Sequence, residues 1–267
     1  MGTRYTHGHH DSVLRSHRWR TAANSAAYLL PHLQPGQRLL DVGSGPGTIT
    51  AELSATVSPG ETVAVEISAA AADLTRVELA RRQVSGVEVV VGDVHALAFP
   101  DGSFDVVHAH QVLQHVSDPV QALREMARVT ARGGLIAVRD CDYAATTWHP
   151  ASSALDRWLA LYDTAARRNG GEPNAARHLL AWAHAAGLTD ATVTTSTWCF
   201  ATPEDRDYWG GMWADRILHS ALTEQLLREG LSTAEGLEEI SRAWSEWAAN
   251  PDGYINLVHG ELLVRVC

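Results

Sequence analysis

The chain has 267 residues, a formal net charge of -10, 45% hydrophobic residues and 19% charged residues. Such a chain is long enough to bury a full core without covalent staples, as one elaborated α/β domain or two small ones. Its acidic balance excludes nucleic acid as the main partner, and no apolar run approaches the roughly 20 residues of a membrane span.

The chain opens MGTRYTHGHHDSVLRSHRWR, with His7, His9, His10 and His17 close together. The histidines are not six in a row, as in a tag, and lack the fixed spacing of H-E-x-x-H, so no metal is expected there. The stretch is polar, without the apolar core of a signal peptide. A helix is predicted over about residues 18–32. From residue 37 the pattern alternates: QRLLDVG as a buried strand, GTITAELSATV as a helix, Pro59-Gly60 as a turn and ETVAVEI as a second strand. SAAAADLTRVELARRQ follows as a helix capped by Ser68. VEVVVGD and FDVVHAH read as the third and fourth strands. DPVQALREMARVTARGG reads as a helix with an Asp118 cap, Pro119 in its first turn and Gly133-Gly134 as its stop. GLIAVRD is a fifth strand. Apolar strands alternating with helices predict a parallel, doubly wound α/β sheet covered on both faces.

After Asp140 the rhythm changes. Residues 152–187 read as two helical pieces broken by NGGEPN, ATVTTSTWCF as a strand, residues 203–249 as helical, and YINLVHGELLVRV as a closing strand. The expected division is an N-terminal segment and helix (1–36), a binding core (37–140) and a remainder (141–267) with helical cap insertions at about 148–187 and 203–249. Cys141, Cys199 and Cys267 are far apart, which suits a reducing, cytoplasmic compartment and no metal cluster.

LLDVGSGPGTIT carries the chemistry. A strand ends at Asp41-Val42, glycines follow at 43, 45 and 47, and a helix begins. Glycines allow a tight turn and close approach of a ligand to the backbone, and the helix start offers free N–H groups. Glu66 ends the second strand, where a carboxylate can accept from both ribose hydroxyls. Asp93 follows the third strand, where it can accept from an adenine amino group. The glycine spacing differs from the G-x-G-x-x-G of dinucleotide enzymes. Together DVGSGPG, AVEIS, VGDVHALAFPDGSFDVVHAHQVLQHV and LREMARVTARGG resemble the motifs of the class I S-adenosylmethionine-dependent methyltransferases, closest to the branch of the ubiquinone and menaquinone C-methyltransferases (methyltransferase type 11/25).

The resemblance covers about residues 37–140. It implies a mostly parallel seven-stranded sheet, with the seventh strand antiparallel, and S-adenosyl-L-methionine as cofactor, with S-adenosyl-L-homocysteine as product. It places Gly43, Ser44 and Gly45 at the methionine end, Glu66 at the ribose, Asp93 and Val94 beside the adenine, and His110 and Gln111 near the sulfonium, with Ile67 also among the cofactor-binding residues. In that topology residues 1–17 and both insertions converge on the ligand face, so the THGHH segment is expected to form a lid, with Tyr5 near the cofactor.

A hydroxyl or enol acceptor benefits from a general base, and histidine titrates in the right range. The candidates are His110, His115 and His10. His108 shares the strand face of His110 but lies deeper and is assigned to structure. Trp209 and Trp213, four apart on one helix face, with Tyr208 and Trp148, are expected to wall the acceptor site. The expected function is methyl transfer to oxygen or carbon of a small apolar or aromatic acceptor. Small-molecule N-methylation, or cofactor binding for cyclisation or regulation, are the alternatives. The partner expected is that small molecule, with neither nucleic acid nor membrane. Assembly as a homodimer is left open.

Overall fold

The structure is a computed structural model, and residues 19–267 are described. The lid assigned to the first 17 residues, with Tyr5 and His10, lies outside the described residues.

Strand β1 (Leu39–Val42) is buried along its whole length because the sheet is covered on both sides. Side chains alternate along it. Leu39 joins Ile49, Leu53 and Val57 of helix α2 (Thr48–Val57) on one face. Leu40 and Val42 join the core on the other face, with Val107 and Ala109 of β4 (Phe104–His110) and Leu123 and Met126 of α4 (Pro119–Val129). β2 (Thr62–Glu66), α3 (Ala69–Arg81) and β3 (Val87–Val91) complete one half. The other half holds β5 (Thr130–His149), α5 (Ser153–Arg168), α6 (Leu179–Ala185), β6 (Ala191–Phe200) and β7 (Tyr254–Arg265). The order is β3-β2-β1-β4-β5-β7-β6, with β7 antiparallel to both neighbours and the β1–β5 neighbours parallel. The expected seven-stranded, doubly wound sheet is therefore present.

Three element boundaries differ from the sequence expectation. The N-terminal helix is a single turn, α1 (Ala22–Ser25), followed by a 3-10 turn at Leu30–His32. Asn24 and Ser25 spend their side chains on local bonds: Asn24 Oδ1 accepts from the Thr21 N–H (2.9 Å) and the Ser25 hydroxyl (2.7 Å). Helix α4 stops at Val129 rather than at Gly133-Gly134, because Thr130 turns extended and its hydroxyl donates back to the Met126 carbonyl (2.6 Å). β5 runs on to His149, paired with β7 across a register shift between Asp142 and Thr147. Trp148 thus sits in the sheet, and the first helical insertion begins only at Ser153.

A third core lies beyond the sheet. Helices α7 (Pro203–His219), α8 (Ala221–Arg228) and α9 (Ala234–Ala249) pack with α5 over the ends of β5, β6 and β7. Its centre is aromatic. Trp158 meets Trp213 and Trp244 edge-on, at centroid distances of 4.6 and 4.9 Å. These helices form a cap on the carboxyl ends of the parallel strands.

Candidate active site

The turn between β1 and α2 is shaped by glycine. Gly43, Gly45 and Gly47 have φ of +69°, +56° and +85°, in the left-handed region that side chains disfavour. A Cβ on Gly43 would also collide with Val112 Cγ2. Side chains of neighbouring elements hold the turn. The Thr75 hydroxyl donates to the Gly45 carbonyl (2.6 Å), and the Gly45 N–H donates to Glu66 Oε1 (2.5 Å). Glu66 Oε2 accepts from the Ile67 N–H (3.2 Å). Burial raises the pKa of the Glu66 carboxyl, while the two backbone donors oppose the shift.

Beside this turn is a cavity of about 490 Å³. Gly43, Ser44, Gly45, Glu66, Ile67, Asp93, Val94, His110, Gln111 and His115 all line it. Every described candidate for cofactor contact or catalysis therefore meets in one place. The cap adds Tyr143, Trp198, Trp209, Arg216 and Leu257, and the N-terminal stretch adds Arg20.

His110 is buried, and neither ring nitrogen has a hydrogen-bond partner among the described residues. Burial, then the charges of Arg20 and Arg139, hold its imidazole well below the usual pKa, so it is neutral. Gln111 next to it has φ of +54°, unusual for a side-chain-bearing residue. Its amide is gripped at both ends: Arg20 donates to Oε1 (2.6 Å), and Nε2 donates to His259 Nε2 (3.0 Å). His259 Nδ1 in turn faces the Leu257 carbonyl (3.2 Å), which fixes its tautomer. His115 differs from His110. Burial pushes its pKa down to about 3, and its Nε2 already accepts from Gln114 Nε2 (3.0 Å).

The acceptor wall needs correction. Of the four residues expected there, Trp209 alone lines the cavity. Trp213 is fully buried in the cap core, where Trp158 and Trp244 enclose it. Tyr208 stacks on Trp19 (6.0 Å), and Trp148 packs against Trp158 (6.5 Å). The other three pack in or against the cap core instead. Sequence reading missed Arg20, Tyr143, Trp198, Arg216 and Leu257. One signal was present for Arg216: it lies seven residues beyond Trp209, two turns along the same helix face.

The site fits S-adenosylmethionine. Its volume is that of a small-ligand pocket. Each Glu66 oxygen keeps a lone pair beyond its backbone bond, enough for two ribose hydroxyls. Ile67, 66% exposed, offers an apolar face at the rim. The pKa of Asp93 is lowered, first by the His95 N–H that donates to it (2.9 Å), so it stays an anionic acceptor.

Comparison with known proteins agrees. A family profile described as a methyltransferase domain matches residues 40–138. An uncharacterised methyltransferase of Schizosaccharomyces pombe is 32% identical over 98% of this chain and 96% of its own length. A demethylmenaquinone methyltransferase of Renibacterium salmoninarum is 30% identical over 64% of this chain and 69% of its own. A ubiquinone/menaquinone biosynthesis C-methyltransferase of Ectopseudomonas mendocina is 37% identical over 41% of this chain and 43% of its own. The fold is shared with the YcgJ protein of Bacillus subtilis, at a TM-score of 0.54 and 16% identity, over 90% of this chain and 97% of that one. The chain belongs to the class I S-adenosylmethionine-dependent methyltransferases, in the branch of the ubiquinone/menaquinone C-methyltransferases, and takes S-adenosylmethionine as its cofactor.

Proposed function

We propose that this methyltransferase acts on oxygen or carbon of a small apolar or aromatic acceptor. The observation that carries the reading is the cap wall: Tyr143, Trp198, Trp209 and Leu257 face the cavity beside the unpartnered imidazole of His110. Flat aromatic side chains select an apolar or aromatic body by contact area and stacking.

In this reading Glu66 holds the ribose hydroxyls, Ile67 and Val94 flank the adenine, Asp93 accepts from its amino group, and the 43–45 turn takes the methionine end. The cofactor supplies a methyl group already activated by a sulfonium. The protein's task is to align the acceptor, exclude water and receive a proton. His110 suits the last of these. Its imidazole is kept neutral, so it presents a lone pair across the neutral pH range. A hydroxyl proton becomes strongly acidic only as its oxygen gains the methyl group, so a weak base is sufficient at that moment. His115 is less suited, because Gln114 already occupies one of its nitrogens.

Incubation with S-adenosylmethionine carrying a trideuterated methyl group tests the reading, using a panel of phenols, hydroquinones and arylamines. The expected product carries the label on oxygen or carbon, with S-adenosylhomocysteine formed in equal amount. Label on nitrogen would move the acceptor class to amines. Conversion of a substrate without S-adenosylhomocysteine would favour a non-methylating reaction.

A further inference from the structure

We propose that the acceptor carries a carboxylate beside its apolar body, and that Arg216 of the cap and Arg20 of the N-terminal stretch receive this group. The carboxylate serves as a handle and is distinct from the atom that is methylated. The proposal rests on the reading of the cap side of the cavity as the acceptor site.

The cavity wall is divided by charge. Its carboxylates, Asp41, Glu66 and Asp93, stand at the carboxyl ends of β1 and β2 and just beyond β3. Among the described lining residues, the cap and the N-terminal stretch contribute no carboxylate and two cations, Arg216 and Arg20. Arg216 lies two helical turns beyond Trp209 on α7, so the two share a helix face. It is only 4% exposed, and its guanidinium lies over the Trp213 ring, 4.7 Å from the centroid. Arg20 donates to Gln111 Oε1 (2.6 Å), which ties it to the end of β4 next to His110. Both charges reach one place on the wall: burial raises the pKa of the Tyr143 hydroxyl, and Arg216 and Arg20 both oppose the rise.

Arginine keeps its proton even when buried, so both positions put a permanent positive charge beside Tyr143, Trp198, Trp209 and Leu257. A wall for a wholly apolar acceptor gains nothing from that, because a charge taken out of water carries a desolvation cost. An acceptor with an anionic end offsets the cost. Five N–H groups allow one guanidinium to be held by the protein and to meet a ligand as well. The net charge of the chain is -10, which repels anions at long range, so discrimination in favour of an anion has to come from cations at the site itself. A carboxylate fits better than a phosphate ester. It matches the planar fork of the guanidinium, and one charge is less costly than two to enclose among aromatic rings.

Matched pairs of methyl acceptors test the assignment: hydroxylated benzoic, cinnamic and naphthoic acids, each beside its primary amide, incubated with trideuterated S-adenosylmethionine and followed by mass spectrometry. In the pairs that are methylated, the parent protein is expected to favour the acid by at least about tenfold in kcat/KM, with the carboxylate unmodified in the product. Arg216→Gln is expected to lose most of that preference, chiefly through a higher KM for the acid, and Arg216→Lys to recover part of it. Equal rates for acid and amide in the parent overturn the proposal while leaving the methyl-transfer reading in place. So does a preference that survives Arg216→Gln, or a variant that slows acid and amide equally. A methyl ester as product also overturns it, because the carboxylate is then the acceptor atom. If neither acids nor amides yield S-adenosylhomocysteine, the acceptor reading of the cavity fails and takes the proposal with it. Should Arg216→Gln fail to fold, the parent decides through the Nε resonance of Arg216, titrated with 4-hydroxybenzoate and 4-hydroxybenzamide. A shift with the acid alone supports the proposal, and no shift, or the same shift with both, overturns it.

Discussion

In the proposed cofactor site, Glu66 presents one carboxylate to two sets of donors, the backbone and a ribose diol. Its backbone bonds to Gly45 and Ile67 fix the orientation, and its remaining lone pairs are free for a diol. Replacing it by alanine removes both functions. Hydrogen bonds to a charged acceptor contribute about 1.5–3 kcal/mol each. Glu66→Ala is therefore expected to weaken S-adenosylhomocysteine by about a hundredfold or more in calorimetric titration. Unchanged affinity would remove Glu66 from the site. Asp140 is a carboxyl with the opposite problem. It is fully buried, and burial pushes its pKa up to about 7 against the lowering effect of the Gln114 and Leu113 N–H groups. A carboxyl whose folded pKa is raised stabilises the fold when protonated. That stability is full below the ordinary carboxylate range, near pH 4, and is lost as pH rises to about 7. Asp140→Asn keeps the acceptor for the Gln114 N–H (3.1 Å) and replaces an Oδ2 that has no partner among the described residues. Urea midpoints of parent and variant are expected to agree near pH 4.5. At pH 8 the variant is expected to be the more stable. An equal midpoint at pH 8 would show that Asp140 is ionised without cost.

Helix α7 divides its aromatic side chains between two environments. Trp209 stacks on Phe200 at 4.4 Å and also lines the cavity, whereas Trp213 has no exposure and is enclosed by the cap core. Trp213→Ala leaves a cavity among large rings and is expected to cost about 3–5 kcal/mol of stability in urea unfolding. Trp209→Phe keeps most of the packing, and is expected to raise the acceptor KM while leaving S-adenosylhomocysteine affinity unchanged. If Trp209→Phe changes neither parameter, Trp209 belongs to the core alone. The contrast shows what was legible in the sequence. The glycine turn, Glu66 and Asp93 could be placed because each follows a strand directly, and a strand end in a doubly wound sheet has a fixed place. The face of α7 could not. Helical period puts Trp209 and Trp213 on one stripe, but both the cap core and the cavity accept an apolar stripe. The choice is made by α5 and α9, whose Trp158 and Trp244 claim Trp213. The extension of β5 to His149 was hidden for a related reason. CDYAATTWH has little alternation of its own, and its strand partner β7 lies at the other end of the chain.

At the scale of the molecule, the question is whether a cap with its own aromatic core unfolds apart from the sheet. The chain argues against it. β5 and β7 are shared. Ile136 and Val138 of β5 lie in the sheet core, while Cys141 and Tyr143 lie in the cap core. Leu262 and Val264 of β7 belong to the sheet, while Ile255 and Leu257 belong to the cap. The N-terminal stretch adds a third tie, since Trp198 Nε1 of β6 donates to the Asn24 carbonyl (2.7 Å) and Trp19 packs on Trp198 and Phe200. Losing the cap would uncover the ends of strands whose other halves hold the sheet together. Both parts are therefore expected to melt in one cooperative step. The distribution of tryptophan makes this measurable. Trp182 packs with the sheet core, and the other eight tryptophans belong to the cap core or pack against it. Intrinsic fluorescence thus reports on the cap, and far-ultraviolet circular dichroism on the whole chain. The two signals are expected to give coincident urea transitions. S-adenosylhomocysteine at about a hundred times its Kd is expected to move both together, by about 2.7 kcal/mol, because the cavity is built from sheet and cap alike. A fluorescence transition that precedes the dichroism transition would make the cap a separate unfolding unit. A ligand shift seen by dichroism alone would place the ligand on the sheet without contact to the cap, against the acceptor wall proposed for Trp198 and Trp209.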